Sequence, residues 1–474
     1  MKNNEEIGRK ILNILYNNNE VISVNIVGSY SENKNLSKVG DIDVVVICKK
    51  LNKKIIKKLI NQTSRIKIKN LEKKIIINSS FGPVKINGDN ILPIHLMVYD
   101  VNSHIEHVTS SPFTCYDWER TKWFKGKSLQ KIYPVGKLQL SDFFISRRNS
   151  REYLKDLEKN KISVRNYVFK NKKVLCKKKL YKIDKRNRGE FVYHIINFLV
   201  INLYKFIKNK NIKISKDEFK KLFIKITKNN KNLYNQFLIL RSNKEKKIQF
   251  YNKNIIILAK NFITFYNKFL DELKKKYPLI NFVRHKKTKL NKEGVFLGIR
   301  LDPEIIDNYT KKKRDMNYYD YLFISDLKRS KLTSKFFKSK KILQNSLINE
   351  IDYGKVDGLN YKILKKKYPL IIKNWKKGKD PRYPDGENTE DVKKRVIKFF
   401  KYLKKINNEK KILIITHSFF IRVLIGVILK LDLKKIYKIN LKYMQEIQLL
   451  RSGKELISNI DRQATKNFYR QMYD

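Results

Sequence analysis

Arg284 and His285 close the apolar run LINFV, and Thr416 and His417 close KILII. Arg329 and Glu350 stand between them in the chain. Together these residue types can move a phosphoryl group. One imidazole attacks phosphorus, guanidinium groups and a second imidazole stabilise the oxygens in flight, and a carboxylic acid protonates the departing oxygen. Near the other end of the chain, Gly28-Ser29 is followed after eleven residues by Asp41-Ile42-Asp43. Alternation along a strand puts Asp41 and Asp43 on one face. Two carboxylates so placed can bind Mg²⁺ bridging a nucleoside triphosphate. Gly28 allows close backbone approach, and Ser29 can contact phosphate.

The segment FVRHKKTKLNKEGVFLGIRLDP carries Thr288, Asn291, Gly298 and Asp302 behind the Arg-His pair. It resembles the Arg-His-Gly signature of the phosphoglycerate-mutase-like histidine phosphatases. YLFISDLKRSKLTSKFF resembles that family's phosphoryl-binding strand-to-helix segment, with Arg329 in the binding role and Ser325 as a helix cap. LINEIDYGKVDGLNY, with Asp352-Tyr353-Gly354 and Asp357-Gly358, resembles the segment of the acidic proton donor, so Glu350 takes that role. Thr416-His417 matches the second active-site histidine. The resemblance implies a wound α/β fold and a phosphohistidine formed on His285. Arg284, Arg329 and His417 would act on the oxygens with help from Asn291, Glu350 would serve as acid and then base, and no cofactor would be required. Lys286 and Lys287 depart from the family's usual Gly and acid, and Asn388 replaces a usual Ser after Gly386-Glu387. Lys286 brings a side chain, and a cation, close to the nucleophile. Phosphatases and mutases share this constellation. The compact spacing between Arg329 and Glu350 points to a phosphatase, with a mutase as the alternative.

The Gly-Ser, loop, Asp-x-Asp pattern resembles the polymerase-beta-like nucleotidyltransferase superfamily. That implies Mg²⁺ and a nucleoside triphosphate as cofactors, and often a third acid on a neighbouring strand. The natural strand, ILPIHLMVYD, has His95 in its middle and Asp100 at its end. Trp118 and Trp123 are candidates for stacking on a base, although core packing is the more ordinary use of such residues.

Several elements must position these groups. VISVNIVGSY, DIDVVVI and ILPIHLMVY read as strands, and Ile7, Ile11, Leu12 and Leu15 define an amphipathic N-terminal helix. From 136 to 277 the texture is mainly helical, and short strands alternating with helices return from 278. The expected organisation is an α/β and α+β multidomain chain. It has a nucleotidyltransferase-like mixed sheet over 1–135, a helical middle over 136–277, and the phosphatase over 278–474, with Pro278 at the last boundary. The apolar window 412–429 is interrupted by His417 and Arg422, so it reads as a buried strand, a turn and a helix rather than a membrane span.

The 474 residues carry 42% apolar side chains and a formal charge of +63. That composition excludes wholesale disorder and favours polyanionic partners. Lys, Asn and Ile are abundant together and Lys is spread along the chain, a bias that AT-rich coding sequence also produces. Cys48, Cys115 and Cys176 lack metal-type spacing, which fits a reducing cytoplasm. The expected partners are a phosphorylated small molecule and a nucleoside triphosphate. Nucleic acid is a further candidate, the basis of the rival reading as an RNA-binding or regulatory protein.

Overall fold

The computed structural model describes residues 2–33, 41–66, 73–81, 90–136, 138–170, 173–183, 188–208, 212–246, 248, 254–276, 280–306, 318–406, 410–452, 455–460 and 462–473. The loop 34–40 between Ser29 and Asp41, and the expected boundary at Pro278, lie outside them. The chain forms two compact units, Met1–Leu270 and Asp271–Asp474.

The first unit is built on a mixed five-stranded sheet. Its strands are β1 (Val21–Val27), β2 (Ile42–Cys48), β3 (Lys74–Asn78), β4 (Ile91–Asp100) and β5 (Phe124–Gly126), in the order β3-β4-β2-β1-β5. β1 runs antiparallel to β2 and β5, whereas β2, β3 and β4 are mutually parallel. The helix Lys2–Tyr16 packs Ile7, Ile11 and Leu15 on one face of this sheet, all fully buried. Glu5–Arg9 and Glu6–Lys10 pair one turn apart along it, as the sequence periodicity requires.

The middle of the chain is helical over Leu140–Glu158, Arg188–Lys208, Lys216–Ile226, Lys231–Glu245 and Ile255–Lys276, but it also contains a long hairpin. β6 (Lys161–Lys170) pairs antiparallel with β7 (Lys173–Lys182). Ile162 and Val164 alternate inward along β6, a period-two signal diluted by the lysines of β7. Phe81 exchanges backbone hydrogen bonds with Arg165, and Tyr167, Phe169 and Val174 pack against the core of the first sheet. Residues 1–135 and most of 136–277 therefore belong to one compact unit. The helix Arg188–Lys208 is long and apolar enough to cross a membrane by length and composition alone. In the fold it buries Val192, Ile196, Leu199, Val200 and Leu203 within the unit.

The second unit holds a six-stranded sheet. Its strands are β8 (Ile280–Arg284), β9 (Tyr318–Ile324), β10 (Lys338–Gln344), β11 (Ile412–Thr416), β12 (Glu446–Ser452) and β13 (Glu455–Ile460), ordered β10-β9-β11-β8-β12-β13. The first four in that order are parallel, and β12 and β13 continue antiparallel. β11 is buried throughout, and Phe282, Phe323, Phe399, Ile414 and Phe420 form the heart of the core. The window 412–429 is the expected strand followed by the helix Ser418–Leu429. The carboxyl ends of β8, β9 and β11 meet at one edge of the sheet, where an open α/β sheet places its ligands.

Candidate active site

Register alone brings two of the expected residues together, because Thr416 of β11 lies opposite Arg284 of β8. The next residue of each strand is a histidine, and the rings of His285 and His417 stand 5.0 Å apart. The Nδ1 of His285 donates to the Lys286 carbonyl at 2.6 Å. This fixes the tautomer and leaves the Nε2 lone pair bare. Burial, followed by the charges of Arg329 and Arg284, holds the His285 pKa well below the ordinary imidazole value. The ring therefore stays neutral and nucleophilic.

Arg329 is fully buried. Its Nε donates to His417 Nδ1 (3.2 Å), one terminal nitrogen to the Leu301 carbonyl and Asp302 Oδ1 (3.1 and 3.2 Å), and the other to the Gly298 carbonyl (2.8 Å). A buried guanidinium is tolerated only with such satisfaction. The bond from Arg329 leaves the proton of His417 on Nε2, which faces Ser325 Oγ at 2.7 Å. Burial and the neighbouring Arg329 keep His417 neutral as well. Ser325 thus does more than cap a helix. The helix Lys328–Ser334 has Leu327 at its cap with no side-chain capping bond, and Ser325 Oγ reaches only the Leu327 amide, at 3.4 Å. Its principal partner is His417.

Glu350 is buried beneath the start of the helix Ser418–Leu429. Its carboxylate accepts from the amides of Phe419 (3.2 Å) and Phe420 (3.3 Å), and from its own neighbour Ile351 (3.1 Å). Burial raises its pKa, opposed by Arg329, by these amides and by Arg284. The loop carrying it is held by Arg395. That side chain donates to the carbonyls of Leu347, Asn349 and Glu350 while pairing with Glu387 at 2.8 Å. Arg395 was not legible as a site residue, because a helical arginine on a polar face carries no special signal.

Arg284 donates to the Leu441 carbonyl and lies over the Tyr443 ring at 3.8 Å, with its buried Nε unpartnered and available. Thr288 and Asn291 bond each other, the Thr288 amide and hydroxyl both donating to Asn291 Oδ1. They brace the loop behind His285. Asp357 accepts from the amides of Gly298, Arg300 and Leu301. A Cβ at Gly298 would come within 2.6 Å of the Ile351 carbonyl. The ammonium of Lys286 sits over the Phe336 ring at 3.9 Å, and its amide donates to Thr333 Oγ1.

A second constellation forms in the first unit. His95 of β4 is the lateral neighbour of Asp43 of β2, so both project from one face, and His95 Nε2 is 3.6 Å from Asp41 Oδ2. Gly28 has φ +73°, and a Cβ there would strike Asp43 Oδ2 at 2.4 Å. Only glycine fits this approach. Ser29 is exposed beside it. Asp100 is spent elsewhere, as the N-cap of the helix Val101–Ser110 in a capping box with Ser103. Of the two candidates on β4, His95 is therefore the one whose side chain lies beside the aspartates. Burial, then the like charge of Asp41, pushes the Asp43 carboxyl up to about 7, because a second negative charge in this setting is disfavoured. Among the described residues no three His, Cys, Asp or Glu side chains form a complete metal cluster. Mg²⁺ commonly takes one or two carboxylates and completes its shell from phosphates and water, so the pair fits it. Trp118 stacks on His107 (5.2 Å) and Trp123 packs edge-on against Tyr30 (5.8 Å). Both serve packing.

The sheet of the second unit and its two-histidine site define a histidine phosphatase fold. Comparison with known proteins agrees. A model of the histidine phosphatase superfamily (branch 1) matches residues 280–456, and a nucleotidyltransferase domain model matches 9–87. The chain belongs to the histidine phosphatase superfamily through its C-terminal unit and carries a nucleotidyltransferase domain at its N-terminus. A 2,3-bisphosphoglycerate-dependent phosphoglycerate mutase of Buchnera aphidicola subsp. Schizaphis graminum is 30% identical over 201 residues, covering 34% of this chain and 87% of that protein. Phosphoserine phosphatase 1 of Hydrogenobacter thermophilus is 25% identical over 165 residues, covering 33% and 78%. A solved phosphoserine phosphatase from Entamoeba histolytica, in complex with 3-phosphoglyceric acid, aligns over 39% of this chain and 96% of its own, with 21% identity and a TM-score of 0.35.

Proposed function

We propose that the protein is bifunctional, a phosphomonoester phosphatase working through phosphohistidine joined to a Mg²⁺-dependent nucleotidyltransferase-like module. The observation that carries the first activity is the bare Nε2 of His285, held neutral between Arg284 and Arg329. In this reading His285 Nε2 attacks phosphorus and forms the N–P bond as the P–O bond to the leaving group breaks. Glu350 gives its proton to the departing oxygen. Water then attacks the phosphohistidine, Glu350 takes the water's proton, and inorganic phosphate leaves with His285 restored. Arg284 and Arg329 stabilise the equatorial oxygens, and His417, clamped by Ser325, keeps Arg329 in place. The substrate is a phosphorylated small molecule. The relatives named as mutases keep the mutase alternative in view, and the short stretch between Arg329 and Glu350 supports hydrolysis.

In the first unit Asp41 and Asp43 would hold the metal. When bound, Mg²⁺ supplies charge neutralisation across a triphosphate. Gly28 keeps the backbone clear of the Asp43 carboxylate, and His95 faces Asp41 from the neighbouring strand.

The deciding experiment for the phosphatase is His285→Ala in the full chain. Phosphate release from phosphomonoesters and acid-labile phosphoryl labelling of the protein should both disappear while the fold is kept. Turnover above a few per cent of the unaltered protein would remove His285 from the nucleophile's role.

A further inference from the structure

Next to the loop that follows Glu350 and the helix that follows His417, the second unit holds a cavity of about 490 Å³, a size that suits a small organic ligand. Trp375, Tyr383, Tyr437, Phe419, Tyr353 and Phe296 line it. These rings support one another edge-on or tilted. Trp375 lies 5.9 Å from both Tyr383 and Tyr437, Tyr353 lies 4.9 Å from Tyr383, and Phe419 lies 5.9 Å from Tyr437. The wall is therefore π-rich and set by packing. Trp375, Phe419 and Tyr437 come from the helices Pro369–Lys376, Ser418–Leu429 and Leu433–Lys438, and Phe296, Tyr353 and Tyr383 come from loops.

Into this wall comes Arg422, one turn beyond Phe419 on the helix Ser418–Leu429. Its Nε is buried with no hydrogen-bond partner, and no carboxylate pairs with it among the described residues. Arg329 is held by four acceptors and Arg395 by Glu387 and three carbonyls, whereas Arg284, whose Nε is also unpartnered, stands at the phosphoryl site and does not line this cavity. Arg422 is half-buried, and its two terminal nitrogens are not among the buried unpartnered atoms, so they remain open to an incoming anion. Lys376, Lys434 and Lys438 line the same cavity and add to its positive field.

The cavity lies on the side of the general acid. The Phe419 amide donates to the Glu350 carboxylate while its ring lines the cavity, and Tyr353 follows Glu350 by three residues on the same loop. In the proposed reaction Glu350 protonates the leaving oxygen, so a cavity on its side of the site is placed to take the body of the leaving group.

We propose that this cavity receives the leaving group of the phosphatase reaction, and that the leaving group is a planar, π-rich alcohol bearing a second negative charge, the class that a nucleoside bisphosphate represents. The flat ring system stacks among Trp375, Tyr383 and Tyr437, and the second anion pairs with Arg422 through its free donors. The inference rests on the phosphohistidine reading for its reaction, although the cavity can be tested without turnover.

The test compares three probes on the full chain: adenosine 3′,5′-bisphosphate, adenosine 5′-monophosphate and glycerol phosphate. The expected order of kcat/KM is bisphosphate, then monophosphate, then glycerol phosphate, with roughly tenfold between the first two, as one charge-assisted contact provides. Arg422→Met should bring the bisphosphate-to-monophosphate ratio close to one, and Arg422→Lys should restore part of it. Trp375→Leu should reduce the preference of adenosine monophosphate over glycerol phosphate. A general folding defect would lower all three substrates together and leave the ratios unchanged, so a ratio that survives Arg422→Met overturns the proposal. So does an unaltered protein that shows no preference for the second phosphate. If the unaltered protein turns over none of the probes, the phosphatase reading fails separately. Calorimetry with adenosine 3′,5′-bisphosphate in the presence of a metal chelator then decides the cavity. Binding that Arg422→Met abolishes supports it, and absence of binding overturns it.

Discussion

Ser325 Oγ lies 2.7 Å from His417 Nε2, joining the end of β9 to the end of β11. This bond holds the Nε2 edge of His417 on the β9 side of the ring, while Arg329 Nε, which can only donate, bonds the opposite nitrogen, Nδ1. Removing the hydroxyl should leave His417 free to turn and Arg329 with one acceptor fewer. We expect Ser325→Ala to lower kcat roughly tenfold, the cost of about one lost hydrogen bond to a buried polar group, with Ser325→Thr recovering much of it. Unchanged kinetics in Ser325→Ala would show that the packed interior alone holds the imidazole.

Glu350 must be protonated to serve the leaving group, and burial raises its pKa above the usual glutamate value. A raised pKa in an acid means that the donor form persists to higher pH. Turnover of esters with poor leaving groups should therefore fall as pH climbs through that raised value. Glu350→Gln should lose roughly 10²–10⁴-fold on such esters and much less on activated aryl phosphates, and should show no alkaline limb. Equal losses on both kinds of ester would assign proton donation to another group.

His285 and His417 are both held neutral well below the ordinary imidazole value. The acid limb of kcat/KM should consequently not appear at the pH where a free imidazole titrates. A loss of half the activity near pH 6.5, measured with a substrate whose own ionisation is constant there, would contradict the buried, arginine-flanked setting of the nucleophile.

Asp41→Asn combined with Asp43→Asn should abolish the Mg²⁺ dependence of nucleoside triphosphate binding, measured by calorimetry with and without the cation, because two anionic ligands to a hard ion are lost. Gly28→Ala should act similarly for a steric reason, since its Cβ would displace the Asp43 carboxylate. Nucleotide binding that ignores both changes would leave a nucleotidyltransferase fold without that chemistry and would favour the RNA-binding or regulatory reading.

His104 is buried in the first unit with both ring nitrogens unpartnered, and burial lowers its pKa to about 4. Its neighbour His107 is lowered to about 3 by burial, by Arg165 and by His104. The unfolded chain takes up a proton at each of these positions near pH 6.5, whereas the folded chain does not. Stability of this unit should fall as pH drops from 6.5 toward 4. His104→Phe should remove roughly 3 kcal/mol of that acid-side loss, read as the difference in unfolding free energy between neutral and acid pH. An equal pH dependence in the two proteins would place the acid sensitivity in the overall charge instead.

Much of the fold was legible because periodicity and strand-end chemistry are local properties. The amphipathic spacing of Ile7, Ile11 and Leu15, the unbroken apolar strand before His417 and the glycine opposite Asp43 all report on residues close in the chain. Types and order within the Arg284-His285, Arg329, Glu350 and His417 segments already indicated phosphoryl transfer. Tertiary structure decided what depends on groups far apart in sequence. The hairpin Lys161–Lys182 is seen as strand only once Phe81 bridges Arg165. The choice between His95 and Asp100 turned on register, which sets His95 beside Asp43 and leaves Asp100 capping a helix. Ser325 and Arg395 became part of the site only when the ends of separate strands and helices were brought within hydrogen-bonding distance. The physical reason is the same in each case. A sequence displays which side chains are available and which face of an element they share, whereas the partner of a buried polar group is selected by packing among segments that the linear pattern does not relate.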